Sequence, residues 1–173
     1  MDGGLIARDM TSDDLSQVMG IENNAQASPW GRLSFEESLT KSHFCRVLEV
    51  AAEHEPSLDR HEQISEGQIV AYHVVCAILD ELHILNVVAA PQYQGIGLGH
   101  RLMHDILEIA EHHQSRRIFL EVRASNQKAQ SLYLKWQFKQ MGLRKAYYRP
   151  TLSNTIREDA LIFMRDCTQA QPR

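Results

Sequence analysis

Residues 87–102 read VVAAPQYQGIGLGHRL, a run in which an apolar strand pattern passes through a turn into a helix pattern. Pro91 begins the turn, and Gly95, Gly97 and Gly99 alternate with other residues before the helix. Glycine permits backbone conformations that turn successive N–H groups inward. A helix N-terminus adds unpaired donors and a partial positive charge. The stretch therefore predicts a strand–loop–helix unit that binds a phosphate or a pyrophosphate.

Two familiar phosphate motifs do not fit this stretch. The dinucleotide fingerprint GxGxxG fails because His100 stands where the third glycine, counted from Gly95, should be. The P-loop fails because no Lys-Ser/Thr pair follows the last glycine. A purely structural glycine turn is the remaining alternative, but three glycines at a helix start weaken the helix without adding packing.

Outward from this unit, the apolar patterns predict one mixed α/β domain over residues 1–167, with helices on both faces of the sheet and a short tail at 168–173. Strands are predicted at 5–7, 44–51, 69–79, 82–89, 118–122, 141–148 and 160–165. Helices are predicted at 11–23, 34–41, 98–113 and 126–135, with capping boxes at Thr11 and Ser34. In the first helix, Leu15, Val18, Met19 and Ile21 lie roughly on one apolar face. In the helix at 98–113, the charged residues, Asp105 among them, are assigned to the side away from the apolar stripe. The polar stretch 53–66 is interpreted as a solvated loop that carries His54 and His61 on its surface.

Composition restricts the class of function. The formal net charge is −4 and no Lys/Arg stripe is visible, which argues against a nucleic-acid partner. The sequence shows no signal peptide and no apolar run of membrane-spanning length, so a cytoplasmic protein with no membrane partner is expected. The three cysteines form no pair with metal or redox spacing, so no metal is expected either. The oligomeric state is not readable.

Two residues after the loop could carry acid–base chemistry. Glu121 lies between Leu120 and Val122 in a strand pattern, so its side chain points to the opposite face from both. A glutamate in such a run is either paired structurally or placed as a general base. Tyr133, seven residues after Asn126, is either a core residue or a general acid, and Asn126 is a natural helix N-cap.

The sequence resembles a known family at these positions. Residues 94–99, QGIGLG, resemble the Q/R-x-x-G-x-G/A signature of the GNAT N-acetyltransferases. Residues 120–133 are similar to the L-E-V-R-x-S-N-x-x-A-x-x-L-Y pattern of the bacterial ribosomal-protein-alanine acetyltransferases in that family. The resemblance implies the GNAT fold, a mostly antiparallel sheet of about seven strands. It also implies acetyl-CoA as cosubstrate and the amino group of a protein N-terminus as acceptor.

The resemblance also implies a role for each matching residue. Glu121 would be the general base and Tyr133 the general acid. The residues implied in acetyl-CoA binding are Val87, Val88, Ala89, Gly95, Ile96, Gly97, Leu98, Gly99, His100, Asn126 and Tyr133. The residues implied at the entrance for the acceptor peptide are Trp30, Tyr147, Tyr148 and Glu158, each of which would otherwise be a packing or surface residue.

Three departures from the family pattern and several alternatives bear on these expectations. Gln137 stands at the left-handed C-cap of the last helix, where the family usually has glycine. The loop has Gly95 and His100 where a basic residue is common, and the polar segment 53–66 is longer than the family pattern. The favoured acceptor is the N-terminal alanine of a small-subunit ribosomal protein. The alternatives are a polyamine, an aminoglycoside or a lysine side chain as acceptor, a non-catalytic acyl-CoA-binding module, and a nucleotide-binding protein.

Overall fold

The computed structural model describes residues 4–41, 43–51, 65–151 and 155–168. The loop predicted at 53–66 lies almost entirely outside these ranges, and so do its residues His54 and His61. Most of the tail predicted at 168–173 lies outside them as well.

The described residues form seven strands and four α-helices in the predicted order. The strands are β1 Leu5–Asp9, β2 Phe44–Val50, β3 Ile69–Ile78, β4 Glu81–Ala89, β5 Arg117–Arg123, β6 Lys139–Tyr148 and β7 Glu158–Asp166. The helices are α1 Leu15–Ala25, α2 Arg32–Thr40, α3 Leu98–His112 and α4 Gln127–Lys135. Short 3-10 turns occupy Ser12–Asp14 and Pro91–Tyr93.

The strands belong to one mixed sheet in the order β1-β2-β3-β4-β5-β7-β6. β1 is antiparallel to β2, and β7 is antiparallel to both β5 and β6. β4 and β5 are parallel, because the chain passes through α3 between them and such a crossover returns the strand in the same direction. The predicted mixed α/β class with a mostly antiparallel sheet is confirmed.

The chain groups into two compact units that alternate along the sequence. One unit comprises Met1–Val74 and Asn86–Leu102, and the other comprises Val75–Leu85 and Met103–Arg173. Below they are called the N-terminal and the C-terminal unit. The single domain expected over residues 1–167 stays a prediction.

Each unit has a core of its own. In the N-terminal unit, Leu15 and Val18 of α1 are completely buried, which confirms the predicted apolar face of that helix. The most deeply buried side chains around them are Phe35, Val47, Leu48, Ala71, Tyr72 and Val74. In the C-terminal unit, the deepest apolar side chains are Val75, Leu82, Met103, Ile106, Ile118, Phe138, Ala160 and Phe163.

The end of α4 has the backbone conformation that its sequence predicts. Gln137 lies in the left-handed region with φ 64°. This conformation lets the Phe138 N–H donate to the Tyr133 carbonyl at 3.0 Å, which satisfies a carbonyl in the last turn. A side chain at such a position costs about 1 kcal/mol relative to glycine. The burial of Phe138 directly after it offsets that cost.

Two local predictions are wrong. Ser34 does not cap α2, because Gly31 is the N-cap and the Ser34 N–H donates to the Gly31 carbonyl inside the first turn. Asp105 was assigned to the solvent side of α3 but is buried. It stands three residues after Leu102 and four before Ile109, and that spacing places it on their face. By contrast, the Thr11 N–H donates to the Asp14 carboxylate as the first capping box predicts.

Across the described residues, none of the helices is long and apolar enough to cross a membrane.

Candidate active site

The glycine loop begins where the 3-10 turn ends. Gly95 and Gly97 have φ angles of 88° and 96°, in the region that disfavours side chains. The third glycine of the motif differs, because Gly99 already belongs to the first turn of α3. The N–H groups of a first helical turn have no partners within the helix. The loop therefore presents backbone donors at the start of a fifteen-residue helix, as the sequence predicts.

A ligand at this loop would contact mainly its backbone and not its side chains. Val88 and Leu98 are buried, whereas Ile96 and His100 are exposed. Arg101 directs a guanidinium N–H to the Leu5 carbonyl at 3.1 Å. The exposed imidazole of His100 stands at the start of α3, where the resembling family commonly has a basic residue.

The end of β4 presents backbone donors at one edge. The Ala90 N–H donates to the Val70 carbonyl of β3 at 2.9 Å. N–H groups alternate between the two edges of a strand, so those of Val87 and Ala89 point away from β3. The register of β4 with β5 covers only Glu81–Ile84 and ends before these residues. The N–H groups of Val87 and Ala89 are therefore directed away from β3 and lie beyond the β4–β5 ladder. The resemblance implies both residues in acetyl-CoA binding.

Trp30 lies in the loop between α1 and α2. Its indole packs against Phe35 with ring centroids 5.4 Å apart. Its backbone N–H donates to the carboxylate of Glu22 at 2.7 Å. The half-buried indole and the bonded backbone give this loop a defined conformation.

In the C-terminal unit, Glu121 lies on the opposite sheet face from the buried Leu120 and Val122, as predicted. Its Oε1 is 2.8 Å from the Arg144 guanidinium, and the Tyr147 hydroxyl donates to the same carboxylate. About a quarter of the Glu121 side chain, 26%, is exposed. Glu121 is therefore structurally paired and also partly open to solvent. Its role as general base stays a prediction.

Tyr133 is only 7% exposed, and its ring packs against Phe138 and Phe163 at centroid distances of 5.8 and 6.4 Å. Burial raises the pKa of the Tyr133 phenol above its usual value, and the nearby Tyr148 adds to the effect. The phenol is therefore protonated at neutral pH, which a general acid requires. Asn126 caps the same helix, because its side chain accepts from the Ala129 N–H at 3.1 Å.

An irregularity in β6 positions the two adjacent tyrosines. The register slips between Arg144 and Tyr148, and Ala146 there has φ 51°. Asp159 accepts from the Ala146 N–H at 2.8 Å, and Arg157 donates to the Ala146 carbonyl at 3.1 Å. Arg157, directly before β7, and Asp159, near its start, therefore support the irregular part of β6.

Glu158 is an internal structural partner. One carboxylate oxygen is 2.9 Å from the Arg123 guanidinium, and the other accepts from the Ser125 N–H at 2.7 Å. Burial alone would raise the pKa of Glu158, but the bonds from Ser125 and Arg123 outweigh it and hold the pKa below its usual range. The Arg123 guanidinium lies 4.3 Å from the centre of the Tyr148 ring. Burial, with the charge of Glu121, raises the pKa of Tyr148 to about 12.

The structure adds three charged residues that sequence reasoning missed. Arg144 and Arg123 hold the predicted Glu121 and Glu158, and Glu22 holds the loop of Trp30. No local pattern marks these pairs, since the partners are separated by 8 to 35 residues. Within the part of the chain that the structure describes, no group of three His, Cys, Asp or Glu side chains could hold a metal ion.

The sequence matches the model of the Acetyltransferase (GNAT) family over residues 18–138, which is more than half of the chain. The chain therefore belongs to the GNAT acetyltransferase family, whose members use acetyl-CoA. The predicted family, fold and enzyme class, an N-acetyltransferase, are confirmed.

Several relatives match along nearly the whole chain. A Bacillus subtilis (strain 168) protein is 31% identical over 155 residues, 90% of this chain and 91% of its own length. The [ribosomal protein bS18]-alanine N-acetyltransferase of Escherichia coli (strain K12) is 29% identical, over 88% of this chain and 91% of its own. The crystal structure of the ribosomal-protein-S18-alanine N-acetyltransferase from Escherichia coli superposes with a TM-score of 0.79 at 27% identity, covering 98% and 97% of the two chains.

Replacing Gly97 by alanine should destabilise the protein by about 1–3 kcal/mol, because a side chain at φ 96° is strained. The matched control is Gly20→Ala in α1, where a methyl group meets no atom within 4 Å. That change should stabilise by up to about 1 kcal/mol. Urea unfolding measures both, and the rise in Tm caused by coenzyme A should be smaller for Gly97→Ala than for Gly20→Ala. Equal stability and equal coenzyme response of the two variants would contradict the assigned role of the loop.

Replacing Glu158 by glutamine should reduce stability by about 1–3 kcal/mol at neutral pH, since the variant loses a charge-assisted bond to Arg123. Because the folded pKa of Glu158 is lowered, this contribution is complete above the unfolded value of about 4.3. It is lost as the pH falls below that value, where a protonated glutamate and a glutamine carry the same charge. Unfolding free energies between pH 3 and 7 should therefore converge at the acid end.

The control for that titration is Glu36→Gln on the exposed surface of α2, where the Arg32 pair is 3.6 Å long. It should change stability by less than about 0.5 kcal/mol at every pH. If the difference in unfolding free energy between Glu158→Gln and the wild type stays constant down to pH 3, the ion pair is not the source of that difference.

Proposed function

We propose that this enzyme transfers the acetyl group of acetyl-CoA to the α-amino group of a protein N-terminus. The proposed acceptor is the N-terminal alanine of a small-subunit ribosomal protein, acetylated in the cytoplasm. One observation carries the proposal: relatives whose names specify that acceptor match about nine-tenths of this chain and of their own length.

Acetyl-CoA supplies an acetyl group activated as a thioester, and the N-terminal unit offers backbone donors suited to it. We assign the N–H groups of residues 95–99 to the pyrophosphate, with the exposed imidazole of His100 beside them. The backbone N–H of His100 itself donates to the Gly97 carbonyl at 2.9 Å. The N–H groups of Val87 and Ala89 are assigned to the pantetheine arm and the thioester carbonyl, and the buried Val88 between them fixes the strand. Donors fixed before reaction stabilise the negative charge that develops on the carbonyl oxygen.

Glu121 is the proposed general base. It accepts a proton from the ammonium group of the acceptor, directly or through water, and the freed amine forms a C–N bond with the thioester carbon. The ion pair with Arg144 and the bond from Tyr147 orient the carboxylate, and the exposed part of the side chain leaves it open to an incoming amine. No covalent enzyme intermediate is required, so no cysteine takes part.

Tyr133 is the proposed general acid. As the C–S bond breaks, it donates its hydroxyl proton to the departing sulfur, and Asn126 at the start of the same helix contributes to coenzyme binding. The Tyr133 phenol carries its proton at neutral pH, as a general acid must, although its raised pKa makes it a weaker acid than a free phenol. The nitrogen of the tetrahedral intermediate loses its second proton to solvent as the amide forms. Solvent then restores the Tyr133 proton and takes up the proton held by Glu121.

We assign the acceptor peptide to Tyr147 and Tyr148, and the resemblance also implies Trp30 in its binding. Tyr147 is 43% exposed and bonded to Glu121, so a peptide that reaches the proposed base passes this ring. Glu158 contributes to this surface through Arg123, which it holds against the Tyr148 ring.

The acceptor is identified by mass spectrometry after incubation with acetyl-CoA and a mixture of three amines. The mixture contains a peptide with the first ten residues of ribosomal protein bS18 beginning at alanine, a lysine peptide with a blocked N-terminus, and spermidine. We expect a single acetyl group on the α-amine of the first peptide. Transfer only to spermidine or only to the lysine peptide would overturn the acceptor and establish one of the alternative acceptors.

Replacing Glu121 by glutamine should lower kcat by about 10²-fold or more, the usual scale for loss of a general base. The coenzyme-induced rise in Tm should persist, since the change leaves the glycine loop intact. The control is Glu111→Gln on the exposed side of α3, which should leave kcat within about twofold. A Glu121→Gln enzyme with the wild-type rate would remove this residue from the role of base.

A further inference from the structure

Glu22 is the most deeply buried acidic residue among those that the structure describes. Glu22 lies in α1, and only 1% of it is exposed. The proposed mechanism assigns it no role. A carboxylate removed from water is costly unless hydrogen bonds replace its hydration. The contacts of Glu22 therefore indicate which parts of the fold depend on it.

Donors from three separate segments converge on this carboxylate. The Trp30 backbone N–H donates to Oε1 at 2.7 Å, and the Asn86 side-chain amide lies 3.3 Å from the same oxygen. The Tyr72 hydroxyl of β3 donates to Oε2. Burial, with the adjacent carboxylate, raises the pKa of Tyr72, so its phenol remains a donor. Gln26 extends the cluster by donating to the Asn86 carbonyl oxygen at 3.3 Å.

Tilted and edge-to-face aromatic contacts also connect Trp30 with Tyr72. The ring of Phe35 lies 5.4 Å from Trp30 and 5.6 Å from Tyr72, centroid to centroid. Glu22 accepts hydrogen bonds from the backbone N–H of Trp30 and from the hydroxyl of Tyr72. The loop of Trp30 is thus held by a buried polar cluster and by an aromatic contact at the same time.

The two segments that Glu22 contacts are both implied in function above. The resemblance implies Trp30 in binding of the acceptor peptide, and Asn86 directly precedes the donor segment of Val87 and Ala89. Residues 26–31 belong to no helix or strand, so their conformation depends on such bonds. Misplacing a substrate-binding group by about 1 Å can cost on the order of 10²-fold in rate.

We infer that Glu22 is a positioning residue for the acceptor, because its carboxylate fixes the conformation of the Trp30 loop. The donor segment of β4 is held independently by its pairing with β3. The inference rests on the proposed function. It differs from a general contribution to stability, because a loop held by a few bonds can open without unfolding of the core.

The test compares Glu22→Ala and Glu22→Gln with a matched control, Asp14→Asn. Asp14 is also a buried carboxylate of the N-terminal unit, but it bonds to Arg8 at 2.7 Å and to the Thr11 N–H, away from the Trp30 loop. Loss of either carboxylate should lower Tm. Only loss of Glu22 should raise KM for the bS18 peptide, by about tenfold or more, with KM for acetyl-CoA within about twofold.

Glu22→Gln should recover part of the KM effect, because its amide oxygen can still accept from the Trp30 N–H. Hydrogen exchange gives a readout that needs no activity. Amides of residues 26–31 should exchange faster in both Glu22 variants under conditions where α1 and β3 stay protected, and should be unchanged in Asp14→Asn. If Glu22→Ala does not fold, Glu22→Gln and Tyr72→Phe, which removes one donor, carry the same comparison.

The outcomes separate the inference from the proposed function. A wild-type enzyme that does not acetylate the peptide refutes the proposed function whatever the variants do. An active wild type whose Glu22 variants show unchanged peptide KM and unchanged exchange of residues 26–31 overturns the inference alone. Equal kinetic and exchange effects from Asp14→Asn would likewise overturn it, because they would reduce Glu22 to a general source of stability.

Discussion

A β-strand directs alternate backbone N–H groups to its two edges, and this constraint fixes the direction of the donors at the end of β4. Because the Ala90 N–H bonds to Val70 on β3, the N–H groups of Val87 and Ala89 must point the other way. Pairing with β5 stops at Ile84, so these donors are not used in that ladder. The glycine loop then turns the chain into α3 within a few residues. The coenzyme chemistry proposed for the N-terminal unit depends on backbone geometry more than on side chains, which explains why its loop can carry His100 in place of a more basic residue.

The C-terminal unit uses side chains instead, and most of its predicted functional residues also have structural partners. Glu121 is bonded to Arg144 and Tyr147, and Glu158 to Arg123. A paired carboxylate and a role in catalysis are compatible, because a fixed orientation is what a proton acceptor needs. The buried phenol of Tyr133 likewise serves two purposes, because its contacts with Phe138 and Phe163 are ordinary packing and also fix the position of the proposed acid.

Much of the fold was predictable because its signals are local. The apolar stripe of α1, the alternation of Leu120, Glu121 and Val122, and the left-handed Gln137 each follow from a few neighbouring residues. The two wrong predictions also concern local signals, because in each case two neighbouring signals competed. Gly31 began α2 three residues before the predicted cap at Ser34, and Asp105 was judged by its charge although its spacing placed it on the buried face of α3.

The sequence by itself determined the class of enzyme, the order of the elements and the candidate residues, because glycine spacing, strand alternation and capping act over short distances. Only the tertiary structure decided which partners those residues have. Arg144 meets Glu121, and Tyr72 and Asn86 meet Glu22, across separations that no local rule covers. The physical reason is that hydrogen bonds and ion pairs form wherever strand register and burial bring groups together, and both are properties of the folded chain as a whole.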